Sequence, residues 1–460
     1  MKREAQQIES SLPSIAGVKV EDVIEKLIQT SPIEHKTSNL TVYEWCLDWA
    51  GSQSMERLYD APKGHWKALF RSKEEKNFSV CAHQCLTIPY QEVQNWQKPA
   101  HARMRIYGAI PFDSKWRTPY TWAGLNHANF FLPSLEWVID RTCPRLYVRV
   151  TKKGSKEQPL QKAIKLLEKL AVKAHPPPPP RYPIIAEDSL DEPDAKKWAE
   201  IINEAKDSFL AGQLDKVVLS RVKHIKLAKP ISSGQIIKGL DTQEESAYLF
   251  AMESPDGAAF VGRSPERLLS WKGKNISVDA IAGTRERSSE ATEDTKLIEE
   301  LETSSKDTSE HRCVTRFVEK VLSSDCETFK KECDLSPLKL TYVHHMISRY
   351  KGKLRKSVHP FKTLQALHPT PAVSGLPQED SIKFIASKES FDRGLFAGTI
   401  GWTDGNSGDF AISIRSAFLS KDHLRIYAGA GIVKDSIPER EWDEISAKMK
   451  PFTQLLHKTF

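Results

Sequence analysis

The chain is predicted to adopt an α/β or α+β fold. Short apolar strands alternate with amphipathic helices, they do so on both sides of a single proline run, and no internal repeat or heptad pattern competes with them. With 460 residues, 39% of them hydrophobic and 28% charged, the chain has the composition of a packed globular protein. That length allows about two to three domains or one large two-lobed body.

In chain order, Leu146 to Val150 reads as a buried strand, and Lys162 to Ala174 places Ile164, Leu166, Leu167, Leu170 and Val172 at helical spacing. His175 and the run Pro176 to Pro180 stop that helix, because consecutive prolines donate no backbone hydrogen bond and stay extended. The run marks a joint between an N-terminal lobe, 1–180, and a second domain, 190–456. An acidic spacer, Glu187 to Asp194, leads into a helix from about Ala195 to Ala211 with Trp198, Ile201, Ile202, Ala205, Phe209 and Leu210 on one stripe and Gly212 as its stop. Strands follow at Lys216 to Arg221, Tyr248 to Met252 and Ala258 to Val261. A helix is expected around Thr308 to Leu322, strands at Phe410 to Leu419 and Leu424 to Ala428, and a last helix from about Pro438 to Met449.

Lysine and arginine number 67 against 60 acidic residues, and the surplus of +7 is spread without a block of like charge, so nucleic-acid binding is not indicated. No apolar stretch is long enough to span a bilayer, and the first residues lack the apolar core of a secretory signal. Seven scattered cysteines fit reduced thiols, which points to the cytoplasm or, for a plant or algal protein, the plastid stroma. Cys81, His83 and Cys85 lack the second pair that a zinc site needs.

Chemistry concentrates in the C-terminal half. Glu441, Glu444 and Lys448 stand at i, i+3 and i+7 and share one face of the last helix; a solvated face has the same spacing. Before that helix, Tyr427 to Val433 (YAGAGIV) reads as a glycine-rich loop, where Gly429 and Gly431 permit close backbone approach to an anion. Glu310 extends the apolar stripe of Val314, Phe317 and Val321, so its carboxylate needs a partner. Together with Glu441 and Glu444 it has the donors for Mg2+, and an ordinary ion pair with Lys or Arg satisfies the same pattern. Lys216 lies in an apolar strand, where it is either a desolvated base or a snorkelling edge residue. Glu266 sits at a strand end in SPERL, and Arg415 interrupts an alternating strand beside the small residues Ser413 and Ala417. Arg415 has room there to grip a carboxylate, or to form a cross-strand salt bridge.

Eight segments, DKVVLSR (215–221), VGRSPERLL (261–269), AIAGTRE (280–286), SKDTSEH (305–311), LHPTPAVSG (367–375), RGLFAGTIGW (393–402), AISIRSAFL (411–419) and YAGAGIVKDSIPEREWDE (427–444), resemble in order the motifs of the chorismate-utilising enzymes. The resemblance is close over about 190 to 456; RIYGAIPFD (105–113) is similar to a weaker N-terminal motif, and residues 1 to about 100 match nothing in the family pattern. Within the superfamily the chain looks most like isochorismate synthases that feed menaquinone synthesis.

That resemblance implies the anthranilate-synthase type of fold, with two lobes, packed sheets and outer helices, and a reaction on chorismate with Mg2+. Lys216 would deprotonate a water that attacks C2, and Glu266 would protonate the hydroxyl leaving C4. Glu310 and Glu444 would hold the metal, with Glu441 in the same shell and Asp307 nearby. Arg415, Lys448 and Gly429 match positions that hold the pyruvyl carboxylate, and Gly283 and Thr284 those near the ring carboxylate. A lysine at 216 favours water over ammonia as nucleophile, so no amidotransferase subunit is expected. The chain departs from the pattern at Ser374, where glycine or cysteine is common, and at His344, where glutamine precedes the family histidine, here His345. Phe396 stands where salicylate synthases, which go on to eliminate pyruvate, have tyrosine. A salicylate synthase and a catalytically silent chorismate-binding paralogue are the alternatives.

Overall fold

The computed structural model describes residues 14–456 apart from 37–40, 52, 74–76, 97–102, 114–121, 123–124, 126–128, 141, 153–156, 174–183 and 242–245. The proline joint at 176–180 lies outside the described residues. The fold is α+β: its strands form antiparallel ladders, with the helices outside them.

Two ladders share the strand Asn129–Ile139. One runs, in spatial order, through Ala186–Glu192, Lys216–Leu227, His423–Ile432, Ser416–Ser420, Ala259–Ser264, Tyr248–Glu253, Lys67–Arg71 and Phe78–Pro89 to that shared strand. The other runs through Cys326–Lys339, Val343–Leu354, Asn275–Glu286, Arg267–Lys272, Ser407–Ile412, Thr399–Thr403 and Ile106–Ile110 to the same strand. Strands from before residue 140 thus hydrogen-bond directly to strands from after residue 240 in both ladders. Their inner faces supply a continuous core of fully buried Phe250, Phe260, Phe410, Phe418 and Leu268, where closely packed apolar side chains leave little room for water.

Three local expectations change. The acidic segment after the joint is the edge strand Ala186–Glu192 rather than a spacer. Its acids lie across from a basic strand, with Asp191 2.8 Å from Lys223, Glu192 2.7 Å from His224 and Glu187 3.2 Å from Lys226. Asp191 faces Lys223 in register while the other two pairs reach diagonally, and opposite charges placed so stabilise the edge without apolar alternation. The YAGAGIV segment is also strand, part of His423–Ile432, in which Gly429 pairs with Ser220 and Gly431 with Val218. The turn comes later, where Ser436 donates its backbone N–H to the Val433 carbonyl at 3.0 Å, and Pro438 opens the helix Pro438–Thr453. Finally, Phe410 to Leu419 is not one strand but two, Ser407–Ile412 and Ser416–Ser420, because Arg415 takes φ +52° and breaks the alternation.

The strand that begins at Lys216 extends to Leu227, further than its apolar run suggested, and its second half alternates charged and apolar residues. The helix Ser305–Asp325 lies on Asn275–Glu286, and Pro438–Thr453 lies along His423–Ile432. The helix Ala195–Leu210 braces the last helix: Trp198 meets Trp442 edge to face at 6.5 Å and donates its indole N–H to the Pro438 carbonyl at 3.2 Å. The start of the Lys216 strand, the end of His423–Ile432 and the first turns of two helices therefore converge on one point.

Candidate active site

At that point Lys216 is completely buried, and its Nζ lies 2.9 Å from Glu310 Oε1. Glu310 stands in the second turn of a helix whose start is capped by Ser304, the acceptor of the Asp307 backbone N–H. Burial pushes the Glu310 carboxyl up, but Lys216, with Lys448 and Lys306, more than offsets this, and the group stays below its ordinary value. The pair fits because Gly431 faces it: a Cβ there would meet Glu310 Oε1 at 2.3 Å and Lys216 Cε at 2.9 Å.

Glu266 occupies the bend between Ala259–Ser264 and Arg267–Lys272, where it is 2% exposed rather than solvated. Burial and then the neighbouring Asp279 raise its pKa to about 8, against a backbone N–H of Ile281 and the charges of Lys73 and Lys216. Its Oε1 has no hydrogen-bond partner among the described residues although it is buried, an arrangement that suits a group completed by substrate. A carboxyl that keeps its proton at neutral pH is equipped to act as a general acid.

Glu266, Gly283, Thr284, Glu310, His345, Phe396, Arg415, Gly429 and Lys448 line one cleft of about 670 Å3, counting the solvent at its mouth. At its cationic end Arg415 donates to His345 Nε2 at 2.6 Å, while His345 Nδ1 donates to the Gly283 carbonyl at 2.9 Å. That network assigns a neutral Nδ1–H ring. Burial, then Arg415 and Lys448, hold His345 well below its ordinary pKa. Thr284 Oγ1 lies 3.2 Å from the same ring. Lys448 donates to the Gly429 carbonyl at 2.9 Å and to Glu444 at 2.7 Å. Arg415 and Ala397, with φ of +52° and +60°, are non-glycine residues in the left-handed region on the cleft wall, a strain that clusters at functional sites. Phe396 stacks on Tyr427 at 5.3 Å and presents no hydroxyl.

Lys216, Glu441 and Glu444 stand beside the cleft rather than on its lining. Glu441 is 2% exposed and paired to Lys306 at 2.7 Å; burial and Glu444 raise its pKa, against the pull of Lys306. Burial would lower the Lys306 ammonium, yet Glu441, Glu444 and Glu310 together hold it above its ordinary value, so the three acids converge on one cation. Among the described residues no three acids, histidines or cysteines are drawn into a ready-made metal cage; each of these acids holds a lysine. The all-oxygen donors and their shared pull on one positive charge fit a hard divalent ion. Asp307 turns away, 2.7 Å from Arg285.

Two contributors escaped sequence reasoning. Lys73 forms a buried ion pair with Asp279 and donates to the Pro265 carbonyl at 3.3 Å, which places it behind Glu266. In the charged run RSKEEK it looks like any surface lysine, whereas Asp279, an acid inside the apolar VDAIAG, carried a legible signal. Arg393 ties the cleft wall together, donating to the Val373 and Val218 carbonyls at 2.8 and 2.7 Å and to Glu389 at 2.6 Å.

A family model for chorismate binding enzymes matches residues 53–457. The chain belongs to the chorismate-binding enzyme family, and the match begins well before residue 100, further towards the N-terminus than the motifs indicated. Among curated relatives, the chloroplastic isochorismate synthase of Catharanthus roseus is 27% identical, over 98% of this chain and 83% of its own length. Isochorismate synthase MenF of Bacillus subtilis is 31% identical over 76% of this chain and 74% of its own length. The solved structure of MenF, the menaquinone-specific isochorismate synthase from Escherichia coli, superposes with a TM-score of 0.81 at 26% identity, covering 95% of this chain and 98% of that one.

Proposed function

We infer that this protein is an isochorismate synthase, which moves the hydroxyl of chorismate from C4 to C2. The observation that carries the mechanism is a fully buried lysine near a buried carboxyl whose Oε1 is unpartnered among the described residues and whose pKa burial and Asp279 raise to about 8. Lys216, in its neutral amine form, takes a proton from a water as its oxygen bonds to C2. The ring double bond shifts, the C4–O bond breaks, and Glu266 delivers the proton that lets the oxygen leave as water. One water enters and one departs, so the reaction is an isomerisation.

Arg415, held by neutral His345, together with Lys448 and the backbone at Gly429, receives the pyruvyl carboxylate, and Gly283 and Thr284 lie beside the ring carboxylate. Glu310, Glu441 and Glu444 would hold Mg2+, which supplies positive charge to the ring carboxylate. Residues 190–456 form the chorismate-binding domain in this reading, and residues 1–180 an N-terminal lobe that supports it. Menaquinone or a related quinone is the proposed destination of the product, on the strength of the end-to-end likeness to the menaquinone-specific enzyme. Among the described residues no helix is long and apolar enough to cross a membrane, and the proposed setting is the cytoplasm or plastid stroma. Water as nucleophile removes any need for an amidotransferase partner.

Proton NMR of the purified protein with chorismate and Mg2+ tests this reading. Isochorismate accumulating towards an equilibrium mixture without pyruvate is the expected result. Stoichiometric pyruvate with salicylate would replace the assignment by salicylate synthase, and unchanged chorismate would leave a binding paralogue.

A further inference from the structure

Each acid assigned to the metal holds a lysine in this structure, and the three lysines are not equivalent. Lys216 is fully buried, and Lys448 is 13% exposed and tied to the Gly429 carbonyl as well as to Glu444. Neither has anywhere to go. Lys306 differs: it lies in the first turn of its helix, its side chain is 33% exposed, and Glu441 is its one hydrogen-bonded partner among the described residues. Its flexible four-carbon stem can carry the ammonium out into water with little disturbance elsewhere. Glu441 cannot follow, because it is buried on a helix braced by Trp198 and Trp442.

We propose that Lys306 is a built-in counter-ion that occupies the cation position beside Glu441 and Glu444 and must swing out before a divalent metal binds. The proposal rests on the assignment of Glu310, Glu441 and Glu444 to the metal. Without Lys306 or a metal, Glu441 would sit buried next to Glu444 without the lysine it pairs with. Such an arrangement is costly. Lys306 therefore keeps the metal-free pocket folded and open, and it lowers the apparent metal affinity to the intrinsic affinity multiplied by the fraction of molecules in which it is swung out. The site then fills only when the metal concentration is high enough to displace the lysine.

The test uses the metal alone, with metal-depleted full-length protein at pH 8. Mg2+ is titrated calorimetrically and Mn2+ by electron paramagnetic resonance into wild type, Lys306→Met and Lys306→Arg. Lys306→Met is expected to bind both ions about three- to tenfold more tightly than wild type, and Lys306→Arg, which keeps the charge, to stay within about twofold of it. In wild type, saturating Mg2+ should raise acylation of Lys306 by a water-soluble amine reagent, read by mass spectrometry against the exposed Lys229. Equal metal affinity in wild type and Lys306→Met, with metal-independent acylation, would overturn the counter-ion role and leave the metal assignment standing. Wild type and Lys306→Met that both fail to bind either ion would overturn both. Loss of binding in a Lys306→Met/Glu444→Gln double variant separates the carboxylate contribution from the lysine.

Discussion

Lys73 and Asp279 form a buried ion pair directly behind Glu266, joining a residue that follows the strand Lys67–Arg71 to the middle of the strand Asn275–Glu286. A segment from early in the chain thereby meets one from its second half at the proposed general acid. Burial raises the Glu266 pKa most, Asp279 adds to the rise and Lys73 works against it, so the pair adjusts where that acid titrates. Lys216, on a third element, is the remaining charge that acts on it.

Replacing Asp279 with asparagine removes the acid that helps raise Glu266 and leaves Lys73 positive. The Glu266 pKa should fall, and with it the pH above which the proton needed by the leaving hydroxyl is missing. The alkaline limb of the kcat profile should move to lower pH by about one unit, which is the scale of a single close charge. A double variant with Lys73→Gln should move it back towards wild type. An unshifted limb in a folded Asp279→Asn protein would remove the pair from any role in tuning the acid.

Glu266 itself couples pH to stability. Its folded pKa of about 8 lies above the ordinary carboxyl value, so between those two pH values the folded chain keeps a proton that the unfolded chain has released. The contribution of this group to stability is therefore fully present at low pH, declines as the pH climbs towards about 8, and is flat beyond. Glu266→Gln cannot ionise, and its melting temperature relative to wild type should rise from pH 5 to pH 8. Its kcat should fall by about 10²-fold or more, the usual contribution of a positioned acid. A constant melting-temperature difference across that range would show that Glu266 ionises normally.

Much of this site was legible in the sequence, but not the reasons for it. Periodicity found the helix that carries Glu310 and the one that carries Glu441, Glu444 and Lys448, and it marked Lys216 as a charge in an apolar strand. It could not show that Glu310 and Lys216 are each other's partner, because their contact depends on how a helix start and a strand start meet. The glycine-rich segment at 427–433 misled for a related reason: Gly431 makes room for Glu310 and Lys216 and Gly429 for the Leu219 carbonyl and Ser220 inside a sheet, a role that looks the same as loop flexibility in one dimension. The edge strand Ala186–Glu192 was hidden because its pairing is electrostatic and its acids show no apolar alternation.

The assignment of Lys216 as the base separates charge from proton transfer. Lys216→Arg keeps a cation that can pair with Glu310, yet a guanidinium does not deprotonate near neutral pH. Its kcat should drop by about 10²- to 10⁴-fold, while the far-ultraviolet circular dichroism stays close to wild type and the melting temperature falls by no more than a few degrees. Isochorismate formation at a near-normal rate in Lys216→Arg would show that the residue acts only as a counter-ion.

Gly431 offers a test that leaves every functional side chain in place. Its backbone is ordinary strand, and alanine there would be unremarkable but for the 2.3 Å approach of its Cβ to Glu310 Oε1 and the 2.9 Å approach to Lys216 Cε. Both neighbours are side-chain atoms, and moving either one opens the 2.9 Å ion pair between them. Overpacking of this kind typically costs about 1–3 kcal/mol. Gly431→Ala should therefore fold, melt a few degrees below wild type, and lose kcat by about tenfold or more, since small misplacements of reacting groups are expensive in rate. Gly257→Ala is the matching control, because that glycine lies in an open turn at φ +87° where a Cβ would touch nothing. Some stability should be lost there with no change in kcat. If Gly431→Ala were equally silent in kcat, the close Lys216–Glu310 arrangement would not be required for turnover.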